Sequence, residues 1–483
     1  MTFLSHDHQH APNRFAVIPT PVRLNANTTY TGKGVTVAFL DSGFYPHPDL
    51  VDPLNRILAY HDVTGERREL FTAEPAESWQ WHGTQTSIAA AGNGQLCDGV
   101  YRGLAHESKL VLVKVSQRGR ITEENIARGV HWVIANRGRY NIRVLNISLG
   151  GDEDVSCSRS IIDQAAEKAI RNGIVVVAAA GNSGHDGSHS IPPANSPSVI
   201  TVGGYSDNNR LDGNELALYH SNFGATVDGT TKPEIVAPAM WIAAPILPGT
   251  TSYKRAEALS RLNATADYQL RSLARELEET AALPEDLLNS SASEIRTYVE
   301  ATLEHEKIVA THYQHVDGTS FAAPIVASIV AQMFEANPSL TPGAVKNILI
   351  STADRIATEA AIRQGYGIVN ASRAVELAKT ESHGLNVVGC NPPRMENGRF
   401  AFVFHDDAAE RVSLAGDFNG WDPLATPLKR NDSGLWSTEI AITATGRLEY
   451  KFIVDGRRWL EDPSNGMKTP DNHGGLNSVL VIE

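Results

Sequence analysis

The stretch VTVAFLDSG, Val35 to Gly43, runs an almost unbroken apolar segment straight into an aspartate and a turn. Such a run suits a strand buried on both faces of a parallel sheet. Lys109 to Val115, Arg143 to Ser148 and Ile174 to Ala180 repeat the pattern. Between these runs, Ile126, Val130, Val133 and Ile134 recur at helical spacing, as do Ile161, Ile162, Ala165, Ala169 and Ile170. Strands alternating with helices predict right-handed βαβ units and a three-layer α/β domain. In such sheets ligands bind beyond the carboxyl ends of the strands, where Asp41 and Asn182 fall.

Three further motifs stand at comparable places. WHGT sets His82 before the helical run SIAAA; AAAGNSG sets Asn182 just after Ile174 to Val177; DGTSFAAP sets Ser320 before the apolar helix FAAPIVASIVAQMF. A serine is a weak nucleophile until a base takes its proton. His82 supplies such a base, and Asp41 a carboxylate to hold the imidazole tautomer and stabilise its charged form. Asn182, with the Ser320 main-chain N–H, supplies the donors that a developing oxyanion needs, and a helix N-terminus favours negative charge. Taken singly, D-S-G, H-G-T and G-N-S read as turns. Together they are the signature of a serine peptidase.

At these residues the chain resembles the subtilases, the subtilisin-like serine peptidases. The resemblance runs from about Gly32 to Lys379 and includes NISLGG (Asn146 to Gly151), HSNFG (His220 to Gly224), KPEIVAPA (Lys232 to Ala239) and GYGIVNASRAVELA (Gly365 to Ala378). GNG at Gly92, YRGLAHESKLVLVKV from Tyr101 and YNIRVLNISLGG from Tyr140 look most like AprX-type subtilases. The family usually writes HGTHVAG where this chain has HGTQTSI, which implies different helix packing after His82 to Thr84. The resemblance implies a serine endopeptidase with Asp41, His82, Ser320 and Asn182 as its catalytic group. It makes Ser148, Leu149 and Gly150 the strand that pairs with an extended peptide substrate. It makes Ala179, Ala180 and Gly181 the opposite wall of the primary pocket. Ile191 falls near the expected floor glycine, which implies a shallower pocket for small or medium apolar side chains. A non-catalytic glucan- or protein-binding scaffold with an accessory peptidase fold is the alternative, and the intact Asp, His, Asn and Ser set argues against it.

The net charge of −13 argues against non-specific nucleic-acid or anionic-membrane partners, which need a basic face. No run approaches the length of a membrane span. Cys97, Cys157 and Cys390 are odd in number and far apart, so neither a disulfide framework nor a zinc site is expected. His6, His8 and His10 have metal-like spacing but read as a solvated tail. No cofactor is required by the chemistry; structural calcium at the acidic loop Gly151, Asp152, Glu153 and Asp154 stays open, although no full ligand set is visible. MTFLSHDHQHAPNRF lacks a basic region followed by an apolar run, so a cytoplasmic enzyme is expected. Residues 1–31 form an N-terminal extension too short for the usual subtilase prodomain. Its segment Phe15 to Pro21 is either a strap across the substrate groove or a packed arm.

The peptidase domain is expected over 32–379. Residues from about 250–311 interrupt it with a helical insertion, with Leu270, Leu273 and Leu277 on one face and a capping box at Ser291 and Glu294. The insertion is either a surface elaboration packing on the peptidase body or a lid or exosite that restricts substrates. Residues 380–396, with Pro392 and Pro393, read as a linker. From 397–483 the alternation in FAFVF, RVSLAG, WSTEIAI, EYKFIVDG and NSVLVIE predicts a small all-β, immunoglobulin-like sandwich. LAGDFNGWDPLATPL, LEYKFIVDGRRWLEDP and GGLNSVLVIE resemble the glycogen-binding modules of the AMP-activated kinase β-subunit type. That resemblance implies α-glucan binding by Trp421, Lys451, Trp459 and Asn477. A docking domain of the same fold without a sugar site is the alternative.

Overall fold

The computed structural model describes residues 17–482 except 67, 68, 71, 73, 152–154, 185–188, 214, 381–392, 397, 398, 407, 408, 431–434, 445, 463, 464, 466, 467, 472 and 474. The expectations for His6, His8 and His10, for Asp152 to Asp154, and for most of the 380–396 linker lie outside the described residues.

The first domain is built on the strands β1 (Thr36–Asp41), β2 (Ile57–Asp62), β3 (Lys109–Lys114), β4 (Ile142–Ile147), β5 (Val175–Ala179), β6 (Ile200–Ser206) and β7 (Ile235–Pro238). They pair in parallel in the order β7-β6-β5-β4-β1-β3-β2, with the short strand Ala217–Leu218 antiparallel on β6. Alternation along β1 divides the core. Val37 and Phe39 join the cluster on one face, and Ala38 and Leu40 join the cluster on the other. Helices α1 (Trp81–Ala91), α2 (Glu123–Tyr140) and α3 (Ile161–Arg171) follow β2, β3 and β4 in the chain. Ile126, Val130, Val133, Ile162 and Ala165 are buried as their spacing predicts, but Ile161, the first residue of α3, is exposed. The strand order reverses between β1 and β4. Asp41 ends β1 and Ser148 follows the end of β4, so both border the crevice at the switch point.

After β7 come β8 (Ile242–Pro245) and the insertion helices α4 (Thr251–Ala264), α5 (Asp267–Glu276) and α6 (Ala292–His305). These helices close a core of their own through Leu259, Leu262, Leu270, Ile295, Val299 and Leu303. Both halves of the Ser291–Glu294 capping box form. The insertion is not helical throughout. Strands β9 (Ile308–Ala310) and β10 (Tyr313–Val316) return the chain, and β10 pairs antiparallel with both β8 and β9. Their brevity leaves too few residues for a strand period to show in the sequence. From Val17 the N-terminal arm packs against Val309 and Tyr313, and Arg23 pairs with Asp207 at 2.7 Å, so its described part is a packed arm.

The domain is completed by α7 (Thr319–Ala336), α8 (Pro342–Thr352) and α9 (Ala371–Thr380), with a single helical turn at Ala361–Gln364 before the last. By length and composition α7 is apolar enough to cross a bilayer, but 83% of it is buried within the protein. It is the central core helix, and it begins at the nucleophile motif.

The second domain is a sandwich of two antiparallel sheets. One contains β11 (Arg399–His405); the other joins β12 (Val412–Gly416). β13 (Leu435–Ile440) lies beside β11, while β14 (Gly446–Val454) joins β12, β15 (Arg458–Leu460) and β16 (Leu476–Ile482). Phe400, Phe402 and Phe404 face Leu414, Tyr450, Phe452 and Val454 in its core.

Candidate active site and glycan face

Asp41 is almost fully buried, and three donors meet its carboxylate. Ser42 N lies 2.7 Å and His82 Nδ1 2.8 Å from Oδ1, and Thr86 Oγ1 donates to Oδ2 at 3.2 Å. A buried charge is tolerable only when paired and hydrogen-bonded in this way. The approach of α1 to β1 depends on Gly83, where a Cβ would lie 2.3 Å from Gly43 O and 2.9 Å from Asp41 Cβ. Burial pulls the His82 pKa down, but the charge of Asp41 and its hydrogen bond outweigh that, so the net shift is upward. Thr86 lies within the HGTQTSI departure. The sequence showed only that packing would differ there; its hydroxyl reaches the buried aspartate.

Ser320 is the second residue of α7, and Gly318 turns into that helix at φ +136°, a conformation that suits glycine. The His82 ring lies 5.9 Å, centroid to centroid, from Phe321, which follows the serine. Ser320 Oγ donates to Ser148 O at 3.3 Å, and no hydrogen bond joins it to His82 among the described residues. Catalytic hydrogen bonds often tighten only when substrate is present. Asn182 reaches the same helix start. Its Oδ1 accepts from Thr319 N and Thr319 Oγ1, both at 2.9 Å, which fixes which end of the amide is oxygen and turns Nδ2 away from Thr319. Thr319 was not singled out in the sequence, although it stands inside DGTS.

The two expected substrate walls flank this group. Ser148 Oγ donates to Ser320 O at 2.9 Å, tying the end of β4 to α7. On the other side, Ala180 N donates to Val202 O at 3.0 Å and Gly181 N to Thr319 Oγ1 at 3.2 Å. Ile191 lies against the first wall: a Cβ on Gly150 would stand 3.3 Å from its Cγ1. Behind that loop, the ammonium groups of Lys232 and Lys346 both bind Val199 O and Glu234 Oε1. Among the described residues no group of three or more His, Cys, Asp or Glu side chains is arranged to hold a metal ion.

Residues 32–368 match the subtilase family. The chain belongs to the subtilase family. It is therefore a serine endopeptidase, and it carries a second module, since residues 387–469 match carbohydrate-binding module 48, the isoamylase N-terminal domain. Serine protease AprX of Bacillus subtilis is 34% identical over 360 residues, covering 72% of this chain and 67% of that protein. Extracellular protease of Xanthomonas campestris is 28% identical over 378 residues, 72% of this chain and 52% of its own length. A solved protease of Pseudoalteromonas arctica superposes with a TM-score of 0.50 at 25% identity, over 76% of this chain and 95% of that one. These relatives correct the expectation of a cytoplasmic enzyme, because a subtilase similar over most of this chain is named extracellular. The missing leader pattern in residues 1–15 was no guide to compartment.

On the sandwich, Trp421 and Trp459 stack at 6.4 Å with 26° between their planes. Trp459 is 42% exposed and stands opposite Ile453 across the β14–β15 pair. Lys451 lies two residues before Ile453 on the same face of β14, and its ammonium pairs with Asp471. Asn477 on β16 donates to Glu449 Oε2 at 2.8 Å. The four residues thus gather on the outer face of one sheet. Trp459 is open to solvent and Trp421 half-buried, and the two polar residues are buried.

Proposed function

We propose that Ser320, His82 and Asp41 form the catalytic triad of this subtilase and that Asn182 is its oxyanion donor. The observation that carries this reading is the 2.8 Å bond between His82 Nδ1 and Asp41, with the His82 ring packed on Phe321 beside the serine. Asp41 holds the Nδ1–H tautomer, so Nε2 is the atom that takes the Ser320 hydroxyl proton as Oγ attacks the scissile carbonyl carbon. The negative charge that forms on the carbonyl oxygen is met by Asn182 Nδ2–H and Ser320 N–H. The same proton then passes from His82 to the leaving amine, and water releases the acyl group by the reverse sequence. An extended peptide adds as a strand against Ser148 to Gly150, with Ala179 to Gly181 on its other side. Ile191 beside Gly150 favours small or medium apolar side chains in the primary pocket. Purified Ser320→Ala is expected to lose about 10⁶-fold in kcat on a peptide anilide while keeping its circular-dichroism spectrum. Full activity in that variant would refute the assignment.

The chain divides, in this reading, into a peptidase domain over 32–379 and a glycan module over 397–483. Trp421 and Trp459 offer a flat apolar platform to the C–H faces of an α-glucan, and Lys451 and Asn477 meet its hydroxyls. One observation favours the docking-domain reading instead: Lys451 and Asn477 already have partners in Asp471 and Glu449. Co-sedimentation of the full chain with glycogen or amylose separates the two readings.

A further inference from the structure

His220 stands outside the Asp, His and Ser set, yet its Nδ1 lies 2.7 Å from the main-chain oxygen of Asn182. A carbonyl oxygen only accepts, so Nδ1 carries the hydrogen. The imidazole packs beside the Tyr219 ring, 3.9 Å between centroids with 30° between their planes. Three further bonds join the two segments. Asn222 N donates to Gly181 O at 3.1 Å, Gly184 N to His220 O at 3.0 Å, and Ser183 N to Asn222 Oδ1 at 2.7 Å. Thr319 therefore holds the side-chain oxygen of Asn182, while the peptide linking Asn182 to Ser183 is held at both of its polar groups, the N–H by Asn222 Oδ1 and the carbonyl by His220. Of these bonds, the one from His220 is made to the main-chain oxygen of Asn182 itself.

We propose that His220 is a positioning residue for the oxyanion donor: its hydrogen bond to Asn182 O sets the direction of Asn182 Nδ2. This rests on the reading of Asn182 given above. Oxyanion donors act over about 2.7–3.1 Å to an atom that is charged only in the transition state. A misplacement of about 1 Å can cost about 10²-fold, and a partial loss of aim costs less. Because the oxyanion is absent from the ground state, the loss falls on kcat and spares KM.

A double-mutant cycle in the full chain tests this. His220→Phe keeps a ring to pack beside Tyr219 but removes the donor; His220→Gln restores an N–H. The expected result is a kcat about tenfold lower in His220→Phe with KM changed by less than about twofold, and recovery of most of that loss in His220→Gln. In an Asn182→Ala background, itself slower by about 10²–10³, adding His220→Phe costs nothing further. A merely structural histidine would add its cost in both backgrounds, and that result would overturn the proposal. So would full kcat in His220→Phe, or no recovery in His220→Gln. Should His220→Phe melt far below the parent, His220→Leu, which also lacks a donor, runs the same cycle. Undiminished kcat in Asn182→Ala alone would remove the oxyanion reading and this one with it, and that outcome is separate from the others.

Discussion

At the carboxyl end of the parallel sheet Asp41, His82 and Asn182 are held by hydrogen bonds with their neighbours, whereas on the sandwich Trp459 stands open and the polar residues near it are tied up. Asp41 is buried under three donors, and Asn182 is latched to Thr319. Trp459, by contrast, is 42% exposed, and the polar groups proposed to meet a sugar, Lys451 and Asn477, are engaged with Asp471 and Glu449. The difference follows from what each site has to do. Bond cleavage needs groups aimed at a charge that exists only in the transition state, so they must be set in advance. A sugar face needs flat apolar area, and its polar groups can exchange one partner for another at little cost.

The largest effect that would break this contrast lies in the buried carboxylate. Asp41→Asn leaves the shape but removes the charge that holds the Nδ1–H tautomer, and kcat is expected to fall by about 10⁴. The pH profile sharpens the point. His82 acts as a base only when neutral, and Asp41 raises its pKa above the usual histidine value, so kcat/KM of the parent climbs with pH through a limb above that value. Without the Asp41 charge the imidazolium loses its partner, and the limb of the residual activity moves to lower pH. A limb that stays in place would show that Asp41 does not set the histidine.

A smaller effect belongs to the sandwich. Trp459→Ala or Trp421→Ala in the full chain is expected to weaken co-sedimentation with glycogen by about fivefold or more, since each lost aromatic face forfeits about 1 kcal/mol or more of contact. Hydrolysis of a short peptide should not change. Unaltered sedimentation in both variants would leave the sandwich as a docking domain, and loss of its β-sheet spectrum would make the rings structural.

Sequence reading reached these two regions unequally. Asp41, His82, Asn182 and Ser320, the proposed catalytic group, stand in short motifs at strand ends or helix starts, where local sequence shows them. The α/β class was legible from the buried runs such as Val35 to Leu40, although the strand order was not, since it depends on pairings far apart in the chain. The contacts that surround Asp41 and Asn182 were not legible either. Thr86, Thr319 and His220 reach them across 45, 137 and 38 positions, and nothing local distinguishes these three from ordinary turn and helix residues. In the sandwich, period-two alternation gave the architecture but not the role of its tryptophans. Trp436 is buried with Nε1 bonded to Asp406 O, and Trp459 is open, yet each is the second residue of its strand. Only the register separates them.

The central claim is that Ser320 is the residue which His82 and Asp41 activate. A fluorophosphonate probe tests it directly, because it phosphonylates only a serine so activated. Incubated with the full chain, trapped and mapped by peptide mass spectrometry, the adduct is expected on Ser320 alone, and it should be lost in Ser320→Ala and strongly reduced in Asp41→Asn. An adduct on another residue, or none on a folded and peptidase-active protein, would contradict the account.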